Sequence, residues 1–197
     1  MSKNTGGKAT YKGMNAQAWA AMSLFLQFVG RSDFQYIGFE GEKLEDFNLV
    51  FNDGRKLICE SKNQDLNYSD IRNILDRIHN HGQIVPEDKI IIICKSVNKN
   101  AKSDIENYTY FKEKIDRKLK ASPHKYTEPH LKLILQVRFW EVPQDMNERI
   151  VRILLARLLG IWVPEKRLEE IKDNLVLQDV YHGSAEGKTL TKDDFLK

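Results

Sequence analysis

The sequence predicts an α/β fold in which a mixed central sheet is flanked by helices and followed by a mainly helical C-terminal extension. Residues 13–30 form an apolar, helix-favouring segment, and strand-like runs follow it closely up to residue 62. A strongly amphipathic helical segment at 68–81 then precedes a continuous β-branched run at 89–95. Helices and strands that alternate in this order are typical of an α/β or mixed-sheet core.

Composition and charge narrow the class of protein. A chain of 197 residues with 41% hydrophobic and 30% charged residues is typical of a globular domain with a sizeable core, and excludes a disordered or fibrous protein. No apolar run reaches the roughly 18 residues of a membrane span and no secretory signal is present, so we expect a cytoplasmic protein without membrane association. Two cysteines in strand-like runs, Cys59 and Cys94, exclude a disulfide scaffold. The net charge of +3 excludes a polybasic, histone-like binder but allows a local basic surface.

The first helix is expected from Gly13 to Gly30, after a flexible arm of residues 1–12 that is rich in Gly, Lys and Thr. Asn15 can cap this helix, its interior is rich in helix-favouring residues, and Gly30 can end it. Because the segment is apolar almost all round, we expect it to be largely buried.

Strands and a second helix come next. Three strand-like runs are expected at Phe34–Glu40, Asp46–Phe51 and Arg55–Lys62. Tyr68–His81 is expected to be an amphipathic helix, because its apolar residues have helical spacing: Ile71, Ile74, Leu75 and Ile78. The continuous run Lys89–Lys95 indicates a central strand covered on both faces.

The remaining elements define the domain boundaries. Ser103–Lys120 predicts one further helix with Ser103 as a possible N-cap, which completes a core of residues 13–121. The proline-containing segment 122–129 marks a boundary, after which residues 122–197 are expected to form the helical extension. Within it, the stretch from His130 to Val142 is either strand or helix.

Helices are expected in the extension at Asn147–Leu159 and at Pro164–Leu177, the second with a proline at its first turn. Thr191 and Asp194, with Thr189 before them, are expected to begin a last helix in a variant of the capping box. Less than one helical turn follows Asp194, and a helix this short is not stable by itself. We therefore expect the chain to be the N-terminal piece of a longer protein.

A hairpin joins the second and third strand-like runs, and its register decides which side chains share a face. A two-residue loop at Asp53-Gly54 would place Phe47 opposite Glu60 and mix apolar with polar residues on both faces. A three-residue loop with Gly54 in the left-handed conformation instead keeps one face apolar, so this register is predicted. Its pairs are Phe47 with Cys59, Leu49 with Leu57 and Phe51 with Arg55 on the apolar face, and Asp46 with Glu60, Asn48 with Ile58 and Val50 with Lys56 on the other.

This register brings two carboxylates together at one end of the hairpin. The β-carbons of Asp46 and Glu60 would lie about 5 Å apart. Two ionised carboxylates this close repel each other unless a cation lies between them, and a hard divalent ion, Mg²⁺ or Mn²⁺, is the usual one. Lys62 shares the face of Glu60, so it can stabilise charge on a phosphate. The set is typical of phosphodiester hydrolysis; the alternative is an exposed charge cluster in which Lys62 simply neutralises the carboxylates.

The arrangement Asp46…Glu60-Ser61-Lys62 across a hairpin, preceded by a helix, resembles the PD-(D/E)xK nuclease superfamily. Gly13-x-x-x-Gln17 is similar to the Gly-x-x-x-Glu/Gln of its Mrr-like branches, although many relatives have Glu where Gln17 stands. Residues 10–120 most resemble the double-stranded DNA endonuclease effector domain of bacterial anti-phage systems. That domain occurs with cyclic-oligonucleotide sensors, as in CBASS, and at the N-terminus of STAND-type antiviral ATPases.

The resemblance implies a metal-dependent DNA endonuclease with Asp46, Glu60, Lys62 and Gln17 as catalytic residues, of which Asp46 and Glu60 would hold Mg²⁺ or Mn²⁺. It further implies a sensor or STAND ATPase module in the same longer chain and a homo-oligomer on activation. The alternative from another class is a catalytically silent nucleic-acid-binding or assembly module that keeps the fold. Intact Asp46, Glu60 and Lys62 favour the nuclease.

Candidate contacts to DNA come from an uneven charge distribution. Residues 111–138 hold eight Lys and Arg against three Asp and Glu, and no acidic residue occurs among residues 1–12. Basic side chains of this kind suit contacts to backbone phosphates, which need no base recognition. The residues expected to bind nucleic acid are Lys12, Gln64, Lys114 and Lys118.

Overall fold

The computed structural model describes residues 6–39, 46–81, 84–121, 123–160, 164–172 and 189–191. Its strands are β1 (Phe34–Gly38), β2 (Phe47–Phe51), β3 (Lys56–Leu66), β4 (Lys89–Val97), β5 (Val137–Glu141) and β6 (Thr189–Thr191). Its helices are α1 (Gly6–Phe28), α2 (Tyr68–His81), α3 (Lys99–Glu106), α4 (Lys112–Lys120), α5 (Glu128–Ile134), α6 (Gln144–Leu159) and α7 (Glu165–Lys172).

The strands form one six-stranded mixed sheet in the order β5-β4-β3-β2-β1-β6. β1, β2 and β3 form an antiparallel meander, β3, β4 and β5 are parallel, and β6 pairs antiparallel with β1 at the other edge. One face of the sheet forms a core with α1 and α6, and the other forms a core with α2, α3, α4 and α5. This arrangement confirms the predicted mixed sheet with helices on both faces.

The β2–β3 hairpin has the predicted three-residue register. Phe47 pairs with Cys59 and Leu49 with Leu57, while Asn48 and Val50 pair with their expected partners on the other face. Gly54 has a φ of +85°, the left-handed conformation that this loop requires. Phe47, Leu49 and Cys59 are each at most 1% exposed and pack in the core beneath α1, with Leu57 partly buried against it.

α1 begins earlier than the sequence indicated. Residues 6–12, expected in a flexible arm, are the first turns of this helix, which runs from Gly6 to Phe28. No proline or other breaker separates Lys8 from Gly13, so the helix extends back to the glycine pair once its nucleus has formed. In the part of the chain that the structure describes, no helix combines the length and hydropathy of a membrane span.

The single helix predicted at Ser103–Lys120 is in fact two helices, α3 and α4. Asn98, not Ser103, caps α3, because its side-chain oxygen accepts the backbone N–H groups of Asn100 and Ala101 at 3.1 and 3.2 Å. Asn107 ends the helix by donating from its side-chain amide to the Ser103 carbonyl at 2.8 Å. The sequence pattern is helical throughout, but Asn98 starts a helix five residues before Ser103. Asn107 ends that helix, because its side chain bonds to the nearby backbone.

The described part of the C-terminal region contains strands as well as helices and packs with the core. The stretch left open between strand and helix contains both, first α5 and then β5, and β5 completes the sheet beside β4. Val151 and Leu155 of α6 are at most 1% exposed in the core that α1 covers. Thr189–Thr191, expected to begin a helix, pairs as a strand with β1, because an open sheet edge offers these residues backbone partners that one helical turn cannot. Of the predicted helix at 164–177, residues 165–172 are helical and 173–177 lie outside the described residues.

Candidate active site

β3 carries Glu60 and Lys62 on the sheet face that α2 covers. The two residues are two apart in a strand, so their side chains point the same way. Their neighbours across the parallel pair are Ile92 and Cys94 of β4, and both belong to the core under α2 to α5. The candidate site therefore lies at the boundary between a buried apolar layer and the end of the hairpin where Asp46 precedes β2.

The structure brings Asp46, Glu60 and Lys62 together. The Lys62 Nζ atom lies 3.0 Å from Oε2 of Glu60 and 3.9 Å from Oδ2 of Asp46. The backbone N–H of Asp46 donates to the Cys59 carbonyl at 3.2 Å, so Asp46 extends the hairpin beyond the Phe47–Cys59 pair. This places the two carboxylates next to each other, with the ammonium group of Lys62 bridging them.

Two further groups orient Asp46. The backbone N–H of Ser61 donates to Oδ2 of Asp46 at 2.5 Å. Gln17, half-buried on α1, forms a side-chain hydrogen bond with the same carboxyl group. Gln17 therefore contacts Asp46 from the helix, and the catalytic role that the resemblance implies for it stays a prediction.

Arg77 of α2 is the residue that the sequence analysis missed. Its Nη2 atom donates to Oε2 of Glu60 at 2.5 Å, so a single carboxylate oxygen contacts both Arg77 and Lys62. The available signal was topological: the crossover from β3 through α2 to β4 places the helix over β3. A basic residue next to the apolar stripe of α2 can then reach a carboxylate on that strand.

Burial sets the electrostatics of both carboxyl groups. The Glu60 side chain is 0% exposed and that of Asp46 is 11% exposed. Desolvation raises the pKa of Glu60, and the Asp46 charge raises it further, against the opposing effect of Lys62 and Arg77. Desolvation also raises the pKa of Asp46, opposed first by Lys62 and then by the Ser61 N–H and Arg77.

Oε1 of Glu60 is buried without a hydrogen-bond partner in the described part of the protein. A buried carboxylate oxygen without a partner is costly, and it is the kind of ligand that a hard divalent cation takes. Within the described residues no group of three or more His, Cys, Asp or Glu side chains could hold a metal ion. Asp46 and Glu60, with the unpartnered Oε1, are a donor set that fits an ion of the Mg²⁺ type, because such an ion binds one or two carboxylates and completes its shell with water and phosphate oxygens.

The predicted DNA-binding residues lie in different places. Gln64 is exposed on β3, two residues beyond Lys62, and Lys114 is exposed on α4. Lys118, also on α4, contacts Oδ2 of Asp104 at 2.5 Å and lies over the Tyr68 ring. Lys12 is within α1, and its side chain lies outside what the structure describes.

The sheet with its two helical layers defines a mixed α/β domain, and comparison with known proteins gives its relatives in structure. No protein-family model and no curated protein matches the sequence. The fold is similar to that of the Acinetobacter baumannii Cap4 SAVED/CARF-domain containing receptor with the cyclic trinucleotide 3'3'3'-cAAA, at a TM-score of 0.63 and 17% identity over 93% of this chain and 43% of that chain. It is also similar to the Moraxella osloensis Cap4 SAVED/CARF-domain containing receptor, at a TM-score of 0.63 and 15% identity over 93% of this chain and 46% of that chain. The chain thus spans less than half the length of these receptors, and the likeness is one of fold.

Proposed function

We propose that this chain is a metal-dependent endonuclease domain that hydrolyses phosphodiester bonds of double-stranded DNA. The observation that carries the proposal is the cluster of Asp46, Glu60 and Lys62 at one end of the β2–β3 hairpin, with Oε1 of Glu60 buried and without a partner. The same residues and spacing are those through which the sequence resembles the PD-(D/E)xK nucleases.

A purely structural charge cluster fits these contacts less well. A buried ion pair offsets its desolvation only when the remaining lone pairs are also satisfied. In Glu60 both cationic partners contact Oε2, while Oε1 has no hydrogen bond among the described residues. This uneven use of the two oxygens supports a carboxylate that binds a further ligand.

The residues of the site have distinct roles in the proposed reaction. A divalent ion held by Asp46 and Glu60 would supply an activated water and a positive charge beside the phosphate. Lys62 holds its ammonium group between the two carboxylates and stabilises the negative charge that grows on the phosphate oxygens. Gln17 and the Ser61 N–H orient Asp46, and their hydrogen bonds favour its ionised form against the desolvation that raises its pKa.

The biological setting that we propose is bacterial anti-phage defence. Receptors of similar fold include one bound to a cyclic trinucleotide, and this chain spans less than half of their length. We therefore place the domain as the effector part of a longer protein, joined to a sensor or STAND ATPase module and activated by homo-oligomerisation.

A second candidate follows from the same comparison. The A. baumannii receptor binds 3'3'3'-cAAA, so this chain could itself be a cyclic-trinucleotide-binding domain. Calorimetric titration with 3'3'3'-cAAA separates the candidates, because a ligand-binding domain would bind it whether or not Asp46 and Glu60 are replaced. The nuclease proposal expects no such binding.

Cleavage of supercoiled plasmid DNA tests the proposal directly. The wild-type chain is expected to nick or linearise the plasmid only with Mg²⁺ or Mn²⁺, and Asp46→Asn, Glu60→Gln and Lys62→Met should each lower the rate at least about a hundredfold. Glu106→Gln is the matched control, because it removes an exposed carboxylate that, among the described residues, pairs with Lys102 on the same helix. Wild-type rates in all three site variants would refute the assignment.

A further inference from the structure

One oxygen of Glu60 is shared by two cationic side chains from different elements. Lys62, on the same strand, is 3.0 Å from Oε2, and Arg77, on α2, is 2.5 Å from it. The exposed fractions of the three side chains differ sharply: 0% for Glu60, 26% for Lys62 and 46% for Arg77. Arg77 is thus a solvent-accessible residue whose guanidinium group reaches a fully buried carboxylate.

Among the side chains that the structure describes at the site, the charges balance without a metal ion. Asp46 and Glu60 carry two negative charges, and Lys62 and Arg77 carry two positive ones. A divalent cation at the same carboxylates would add two positive charges and would be repelled by both basic residues at short range. For such an ion to bind well, one of the two basic groups has to move away from Glu60.

Arg77 is the basic group that can leave. Lys62 lies within 4.0 Å of both carboxylates and is held by β3, the strand that also carries Glu60. Among the described residues Arg77 forms an ion pair with Glu60 alone, and almost half of its side chain is exposed at the surface of α2. A guanidinium group that leaves a carboxylate there can form an equally good bidentate pair with two oxygens of a phosphate.

Building on the proposed function, we infer that Arg77 is a displaceable counter-ion of the metal site. It neutralises Glu60 while no divalent ion is bound, and it exchanges Glu60 for a backbone phosphate of the DNA once the ion has bound. In this role Arg77 lowers the affinity of the free protein for the ion and raises the affinity of the ion-loaded protein for DNA. Metal binding and DNA binding are thereby coupled through one side chain.

Mn²⁺ binding in the absence of DNA tests the first half of the inference. We expect Arg77→Gln to bind Mn²⁺ about tenfold more tightly than wild type, measured by electron paramagnetic resonance at mildly alkaline pH, because a like charge beside the ion is removed. Arg77→Lys keeps the charge and should stay near wild type. Lys89→Gln is the charge control, since it removes an exposed lysine at the start of β4. If Arg77→Gln does not fold, Arg77→Met serves, because it keeps the apolar stem without the charge.

DNA binding tests the second half. With Ca²⁺ in place of Mg²⁺ to prevent cleavage, Arg77→Gln should bind a DNA duplex about tenfold more weakly than wild type, and Lys89→Gln should not. Equal or weaker Mn²⁺ binding by Arg77→Gln would overturn the inference, as would unchanged DNA affinity. Glu60→Gln distinguishes the two proposals: if it binds Mn²⁺ like wild type, the metal site itself is absent and the proposed function fails. If it loses Mn²⁺ binding while Arg77→Gln behaves like wild type, only the role of Arg77 is refuted.

Discussion

The backbone N–H of Ser61 donates to the carboxylate of Asp46 at 2.5 Å, across fifteen residues of sequence. Ser61 lies between Glu60 and Lys62, so the triplet that supplies two side chains of the candidate site also supplies a backbone donor for the third. The relative position of the two carboxylates is therefore set by the hairpin backbone. Anything that shifts the hairpin register would separate them.

Gly54 is the position at which the register can be tested. Its φ of +85° disfavours any side chain, so Gly54→Ala should destabilise the fold by about 1–2 kcal/mol. Gly30→Ala is the control, since a β-carbon at Gly30 meets nothing within 4 Å and its φ is not in the left-handed region. Urea unfolding gives both values, and equal stability of the two variants would contradict the strained-loop explanation.

Neutralising Glu60 should stabilise the fold. Because burial raises the pKa of Glu60, the folded protein binds a proton there more readily than the unfolded chain does. The stability that this group contributes is thus present at acid pH and lost as the pH rises through the folded-state pKa. We expect Glu60→Gln to raise the free energy of unfolding at neutral pH by about 1 kcal/mol, with the gain vanishing in acid. Glu106→Gln should show no such pH-dependent gain in the same denaturation series.

Metal binding should depend on pH at values where an ordinary carboxyl group no longer titrates. Protons compete with the ion for Asp46 and Glu60, and desolvation raises the pKa of both. On acidification, the apparent affinity for Mn²⁺ should therefore fall at a higher pH than the affinity of a site made of surface carboxylates. The midpoint of this fall in Mn²⁺ affinity should lie at still higher pH in Arg77→Gln, because Arg77 lowers the pKa of Glu60. A midpoint that stays where it is in wild type would argue against contact between Arg77 and Glu60 in solution.

The packing of α6 against α1 should be essential for the whole domain. Leu155 is 1% exposed in the core beneath α1, so Leu155→Ala should cost about 2–5 kcal/mol. Leu159→Ala is the matched control, since Leu159 is 51% exposed four residues further along the same helix. Denaturant unfolding followed by circular dichroism and by tryptophan fluorescence should show a single shifted transition. Two separate transitions would instead support an independent C-terminal unit.

The hairpin and its site residues could be predicted from the sequence because their signals are local. Of the registers possible around the Gly-containing loop, only one keeps a consistently apolar face, and that register alone places Asp46 beside Glu60. The bounds of α2 were likewise predicted in full, since its apolar residues have unbroken helical spacing. In the hairpin and in α2, the secondary structure that the local sequence favours is also the one that the packing of the core requires.

Only the tertiary structure decided which distant elements complete the sheet and the site. β5 and β6 are short, five and three residues, and become strands because β4 and β1 offer them unpaired backbone edges. Arg77 looks in the sequence like any solvated residue on the polar side of a helix. Its contact with Glu60 arises from the crossover that places α2 over β3, and a spacing pattern along one chain segment carries no information about that distance.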